Sequence, residues 1–470
     1  MTQGADILIA GGGPAAILAA ARIARTRPEA RIVVLEKDAA LGGRLRATDH
    51  HSHFTYGLNF ISPALFEFWN GTLKADPESP DLPHFTTGRF ATAGVLAASH
   101  LTEVPVTELF SPTGFKAVAG PAGGRDWTKW AAYLDGIASD ERKDANFHHV
   151  FKSDRQAPAA IALGHMLRAG GVTDLMSANA TAVAIRARML GEGWYAGRWE
   201  EALGVTLRSC ASTVSVVTQC RIIGAARGDA GWTLTTEQGP FTAPILIVAQ
   251  TPWDTGMWLP KDEWPQPLVS LVNHVQPVSV LALNLTLGRT DAIPDLMLIP
   301  AEEVQIVKTA SNEVCLQATI DFELTFEAPA VVKAVRRLRR ARKKLEQFLP
   351  ECHVSDEHLA LLPAAWVPPV AHSDHRFVER LRKGDFQKPD LMFCGDAYGP
   401  DYDGDKNLIQ SVLAAETKLA GRPRHKVEST LSLRETGEAF TFPAEVDGPN
   451  GSPIDQRPGA RPVDQTIVSG

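Results

Sequence analysis

No two of the five cysteines, at positions 210, 220, 315, 352 and 394, stand at a CxxC or other metal-binding spacing. That excludes a zinc ribbon and a dithiol redox motif and reads as a set of reduced thiols. No apolar run approaches the length of a membrane span. The N-terminus enters a strand pattern within a few residues, which leaves no room for a signal peptide. The expectation is a soluble, cytoplasmic protein. Excess positive charge is also missing: 47 Lys and Arg against 54 Asp and Glu give a formal net charge of −7, so nothing global points to nucleic acid. No Ser-His-Asp, HExxH or paired-acid motif offers hydrolytic chemistry, and there is no second GxGxxG for an NAD(P)H site. His51 and His53 share a polar stretch, which reads as a solvated or substrate-cleft loop rather than a metal site.

What the chain does have is a core-forming composition, 44% hydrophobic over 470 residues, enough for two interleaved domains. It is organised around Ala5 to Arg44. Ile7 to Ala10 reads as a buried parallel strand, broken by Gly11-Gly12-Gly13 before an Ala-rich helix. Gly11 permits the tight turn, Gly13 lets backbone approach a pyrophosphate, and Ala16 takes the small-residue place where helix packs on strand. Pro14 opens the helix, where its missing N–H costs nothing. The backbone from Pro14 through Ala15 and Ala16 offers a phosphate the positive end of the helix dipole. A second strand, Arg31 to Leu35, ends at Glu36 and Lys37, where an acidic side chain takes ribose hydroxyls and argues against a 2′-phosphate. The complete context is that of a dinucleotide site.

The continuation Ala40-Leu41-Gly42-Gly43-Arg44 resembles the LGGR box of the flavin-containing amine oxidase superfamily, which includes amine oxidases, protoporphyrinogen oxidases and carotenoid desaturases. The resemblance implies FAD, with Gly42 and Gly43 passing close to it and Arg44 over the pyrophosphate, a role that suits a guanidinium fork. Gly57 is kept from the family's next flavin segment, while Thr55 stands where an acid is usual. Cys220 occupies a valine place whose backbone holds the adenine in relatives, with Ile223 three residues on. Ile245 to Pro252 is similar to the family's exit strand. Ala364 to His372 resembles a segment beside the flavin, with Ala365 in place of its arginine, and makes Trp366 and His372 the candidate cleft residues. Leu391 to Ala397 looks like the second FAD fingerprint. By resemblance Asp396, after Gly395, takes a ribitol hydroxyl, and backbone N–H groups near Leu408 and Ile409 face the flavin C2 carbonyl. Ser411 and Glu416 replace two family glycines.

The resemblance implies an α/β fold: a Rossmann-type FAD-binding domain (1–62, 194–255, 364–421) interleaved with an α+β substrate domain (63–193, 256–363). The polar stretch 422–470 reads as a disordered or loosely attached tail. The implied activity is removal of two electrons from a C–N or C–C bond of a small organic substrate. Val275 to Leu287 lacks the lysine that many amine oxidases place near the flavin. A helix between Val331 and Phe348 carries basic residues from Lys333 to Lys344, which suits an acidic protein or anionic lipid surface as well as a solvated face. Two other readings therefore stay open: oxidation of a residue or nascent cofactor on a partner protein, and a non-catalytic FAD-binding protein.

Overall fold

The computed structural model describes residues 3–46, 60–97, 100–139, 147, 158–167, 175, 178–274, 277–366, 388–399 and 401–420. The chain divides into residues 1–423, which hold every described element, and 424–470. Expectations placed on His51, His53, Thr55, Gly57, His372 and the tail fall outside the described residues.

The apolar run Ile7–Ala10 is the middle strand of a five-stranded parallel sheet. On one side it pairs with Ile32–Leu35, which pairs with Val214–Val217. On the other it pairs with Ile245–Val248, which pairs with Leu391–Phe393. Numbered along the chain, the strand order is 3-2-1-4-5, so the winding reverses between Ile7–Ala10 and Ile245–Val248. A crevice opens at the carboxyl ends of strands at such a switch point.

The four strands other than Val214–Val217 at the sheet's edge are apolar and buried throughout because both faces of the sheet are covered. Ile7, Ile9 and Ile247 pack against the helices Pro14–Thr26 and Gly404–Ala420. Leu8, Ala10 and Val248 pack under a second sheet through Trp232, Leu234 and Phe241. That sheet contains a hairpin, Gly231–Thr236 with Gly239–Ala243.

A seven-stranded, largely antiparallel sheet forms the other body, with Val278–Leu287 between Val354–Trp366 and Glu313–Asp321. The helix Ala328–Phe348 covers one face, burying Ala334, Leu338, Ala341 and Leu345. Truncating wholly buried Leu338 to Ala costs about 2–5 kcal/mol. On the opposite face Val280 joins the core around the fingerprint helices, and Leu296, Leu298 and Val307 meet the helix Ala180–Gly191.

The stretch around Trp127 is helical within Pro112–Ser139, which kinks at Gly120, with φ +71°, before Pro121. Proline has no N–H for the preceding turn and its ring crowds it. Trp127 stacks on Phe115 at 4.0 Å and donates to the Phe110 carbonyl at 2.7 Å, a packing role. Among the described residues no helix is long and apolar enough to cross a membrane.

Candidate dinucleotide site

The turn after Ile7–Ala10 closes only with glycine. Gly11 has φ +109°, and a Cβ there would stand 2.7 Å from the Ala249 carbonyl oxygen; at Gly12 a Cβ would reach Leu41 Cδ2 at 2.6 Å. Gly13 is different. A Cβ there would meet nothing nearer than Gly43 Cα at 3.8 Å, so its small size leaves open space where the helix begins. Gly13 caps that helix without a side-chain hydrogen bond, and the Ile17 N–H is the first to bond back, to the Gly13 carbonyl. The N–H groups of Ala15 and Ala16 therefore have no helical partner and are available to an anion. An uncapped terminus beside an unfilled glycine cradle fits the pyrophosphate of a dinucleotide.

Glu36, 6% exposed, ends the second strand. Its Oε2 accepts from Gly12 N at 2.6 Å and its Oε1 from Asp38 N at 2.8 Å. Each oxygen keeps a lone pair for a ribose hydroxyl. Burial pushes its pKa up, and the Asp38 and Gly12 N–H groups oppose that only in part. The Cys220 N–H donates to the Glu36 carbonyl at 2.8 Å and the Gln219 N–H to Asp38 at 2.9 Å, with Gln219 at φ +52°. The expected adenine loop is thereby tied through main chain to Glu36, the acid expected to take the ribose hydroxyls. Lys37 turns to Asp254 at 3.2 Å, an exposed pair of the kind that contributes about 0–1 kcal/mol.

The second fingerprint meets the first through Arg44. Gly42, at φ +121°, donates to the Gly12 carbonyl at 3.0 Å. This places Arg44 so that Nη1 donates to Asp396 Oδ2 at 2.8 Å and Nη2 to Oδ1 at 2.5 Å. Burial works against the guanidinium charge, but the Asp396 carboxylate outweighs it and holds the pKa above its ordinary value. The two residues that replace family glycines have definite work. Ser411 Oγ accepts from Gly395 N at 3.0 Å, and Glu416 pairs with Arg22 at 2.6 Å, joining the two fingerprint helices. Cys394, wholly buried between them, has its thiol pushed up to about 12 by burial and is inert.

One expectation is corrected. The last helix starts at Gly404, so Leu408 and Ile409 lie in its second turn, where backbone N–H groups bond along the helix rather than facing a ligand. Leu408 is core. The reason is Asp403, whose carboxylate accepts from Lys406 N at 3.1 Å and nucleates the helix early.

Behind that cap lies a charged cluster that sequence reasoning missed. Asp405 Oδ2 accepts from Ser62 N at 2.8 Å, and burial with neighbouring Asp403 pushes its pKa up to about 6. Arg186, 2% exposed on Ala180–Gly191, lies in the field of Asp403, Asp405, Asp396 and Asp401; its Nε is buried with no hydrogen-bond partner among the described residues, and burial lowers its pKa. The available signal was one arginine in an Ala-rich apolar helix. Trp366 closes the strand Val354–Trp366 opposite Val278; the segment that follows, with His372, lies outside the described residues.

The basic helix is partly neutralised within the chain. Arg340 and Lys344 hold Glu302 at 2.6 and 2.7 Å, Arg337 holds Glu303 at 3.1 Å, and Arg342 holds Glu346 and Glu357. Lys333, Arg336, Arg339 and Lys343 are exposed.

Residues 9–71 match the NAD(P)-binding Rossmann-like domain family. No curated protein matches the chain by sequence. Among solved structures, putrescine oxidase is similar with a TM-score of 0.65 at 12% identity, over 90% of this chain and 100% of that one. Cyclohexylamine oxidase from Brevibacterium oxydans IH-35A is similar with a TM-score of 0.60 at 13% identity, over 88% and 99%. A protein assigned as a protoporphyrinogen oxidase, from Exiguobacterium sp. 255-15, gives 0.58 at 13% identity, over 89% and 99%. The chain thus has, nearly end to end, the α/β fold of these oxidases, built on a Rossmann-like dinucleotide-binding domain, as its resemblance to the flavin amine oxidases implied.

Proposed function

We propose that the protein is an FAD-dependent oxidoreductase that removes two electrons, as a hydride, from a C–N or C–C bond of a small organic substrate. The Arg44–Asp396 fork carries this reading. It joins a loop of the first fingerprint to the Gly-Asp of a second, and a dinucleotide that needs both is longer than one bound by the Rossmann turn alone. Bound FAD supplies the hydride-accepting ring.

The chain's own residues bind and orient. Glu36 accepts ribose hydroxyls, the Ala15 and Ala16 N–H groups take pyrophosphate oxygens, and Arg44 adds positive charge beside them. Asp396, held by Arg44, keeps lone pairs for a ribitol hydroxyl. The interleaved division of the chain into cofactor and substrate segments follows from the same reading.

The test is the visible spectrum of the purified protein, then anaerobic titration with candidate amines and a desaturase substrate. A yellow protein bleached by one candidate supports the reading and names the substrate class. A yellow protein bleached by none moves weight to a protein substrate or a non-catalytic role. A colourless protein that takes up no added FAD overturns it.

A further inference from the structure

The helix Ala328–Phe348 carries two sets of cations. Arg337, Arg340, Arg342 and Lys344 are paired within the chain, to Glu303, Glu302, Glu346 and Glu357. The side chains of Lys333, Arg336, Arg339 and Lys343 are exposed and, among the described residues, make no ion pair or hydrogen bond. A helix turns about 100° and rises about 1.5 Å per residue, so Arg336, Arg339 and Lys343 fall within about 60° of arc, with Lys333 beside them, along about 15 Å. This stripe lies opposite the one that buries Ala334, Leu338, Ala341 and Leu345. Val332, 41% exposed, continues it towards the helix start, where Phe326 is 75% exposed.

Like charges three and four residues apart on a helix are neighbours and repel, and a partner of opposite sign relieves that repulsion. The chain as a whole is acidic, with a formal net charge of −7, so the stripe is a local reversal of sign rather than part of a basic surface. Its surroundings are acidic as well. Glu303 lies on one side of the helix, Glu346 and Glu357 on the other, with side chains 42%, 38% and 43% exposed. Glu323 and Glu327 are exposed at the Phe326 end. A flat anionic membrane drawn onto the stripe would meet these carboxylates too, and the helix face that could insert into it is already buried in the core. A slender acidic chain lies along the stripe between them and avoids both costs.

We infer that Lys333, Arg336, Arg339 and Lys343 form a docking surface for an acidic segment of a partner protein, with carboxylates at three- and four-residue spacing and an apolar end that packs on Val332 and Phe326. Arg336 and Arg339 take carboxylates through their guanidinium forks, and Lys333 and Lys343 add point charges at the two ends. The helix covers the face of the seven-stranded sheet opposite the one that joins the core around the fingerprint helices. Docking there leaves the dinucleotide site open, so the inference does not depend on the reaction.

The test follows the fluorescence anisotropy of a labelled peptide with a Leu-Leu end and glutamates alternating at three- and four-residue spacing, against the same peptide with glutamine at every glutamate. Both are titrated with the full native chain and with the double variant Arg336→Glu, Arg339→Glu. At low salt the glutamate peptide is expected to bind at least about tenfold more tightly than the glutamine peptide, and the double variant to lose at least about tenfold of that affinity. Added salt is expected to weaken it. Phe326→Ser is expected to weaken binding about threefold. The substituted side chains are exposed, so melting temperatures are expected to stay native-like. If the double variant melts early, Arg336→Gln with Arg339→Gln repeats the comparison with a smaller loss. Sedimentation with vesicles of phosphatidylcholine and phosphatidylserine tests the membrane. Equal affinity for the two peptides, no binding of either, or native affinity in the charge variants overturns the inference, and native affinity in Phe326→Ser removes its apolar end. Vesicle binding abolished by the double variant, without preference for the glutamate peptide, assigns the stripe to anionic lipid and likewise overturns it.

Discussion

Arg44 and Asp396 lie 352 residues apart and grip each other through two nearly parallel hydrogen bonds. The pair has a geometric requirement: only a planar guanidinium meets both carboxylate oxygens at once. Arg44→Lys keeps the charge and loses the fork. The expected outcome is a fall of about tenfold in FAD affinity, read from the ratio of flavin to protein absorbance after dialysis. Asp396→Asn is expected to act in the same direction, since it leaves a half-buried guanidinium without its counter-charge. Native flavin content in both variants would show that the pair merely closes the fold.

Gly11 and Gly13 separate folding from binding. At Gly11 an added Cβ meets the Ala249 carbonyl with φ at +109°, so Gly11→Ala is expected to cost about 1–3 kcal/mol of stability whether or not FAD is present. At Gly13 the added methyl makes only an ordinary van der Waals contact, with Gly43 Cα at 3.8 Å. Gly13→Ala is therefore expected to melt like the native chain without flavin and to lose the stabilisation that added flavin brings. Thermal melts of each variant, with and without FAD, check both statements.

Asp405 makes stability depend on pH. Its folded pKa, pushed up to about 6, lies above its unfolded value, so between roughly pH 4 and 6 the folded chain holds a proton that the unfolded chain has released. Stability is therefore expected to fall as pH rises through that window. Asp405→Asn keeps an oxygen for the Ser62 N–H and removes the charge. It is expected to raise stability at pH 7 by about 1–3 kcal/mol and to converge with the native chain towards pH 4, as measured by urea unfolding at each pH. A native-like slope in the variant would assign the pH dependence to another group.

The first fingerprint was legible because its logic is local: strand, glycine turn, helix and acid follow one another within 32 residues of sequence from Ala5 to Glu36. The second was legible as a pattern, but its helix start was misplaced, although Asp403 before Gly404 is an ordinary N-cap signal. Ser411 and Glu416 read as departures from a family pattern, and only the folded chain shows that they hold Gly395 and Arg22. The row Cys315, Gln317, Thr319 does alternate with apolar neighbours. Its strand is covered on both faces, so the alternation has none of the solvent contrast that marks a half-buried strand. Arg186 stood out as one arginine in an Ala-rich apolar helix, but its partners were not legible, because the carboxylates near it come from Asp396 to Asp405, distant in the chain.

Arg186 gives the sharpest test of that cluster. Burial raises the Asp403 pKa and the Arg186 charge pulls it back, so the guanidinium offsets carboxylates crowded at the helix cap. Arg186→Met fills similar space and removes the counter-charge that the helix Ala180–Gly191 supplies, leaving Asp403 and Asp405 to repel each other. At pH 7 this is expected to cost about 3–5 kcal/mol. At pH 5 the cost is expected to shrink, because Asp405 is then largely protonated in the folded chain. Adding Asp405→Asn to Arg186→Met is expected to restore part of the loss at pH 7, a coupling that a double-mutant cycle by urea unfolding measures directly. Equal costs at both pH values, with no coupling to Asp405, would mean that the buried guanidinium serves a bound ligand rather than the carboxylates at the cap.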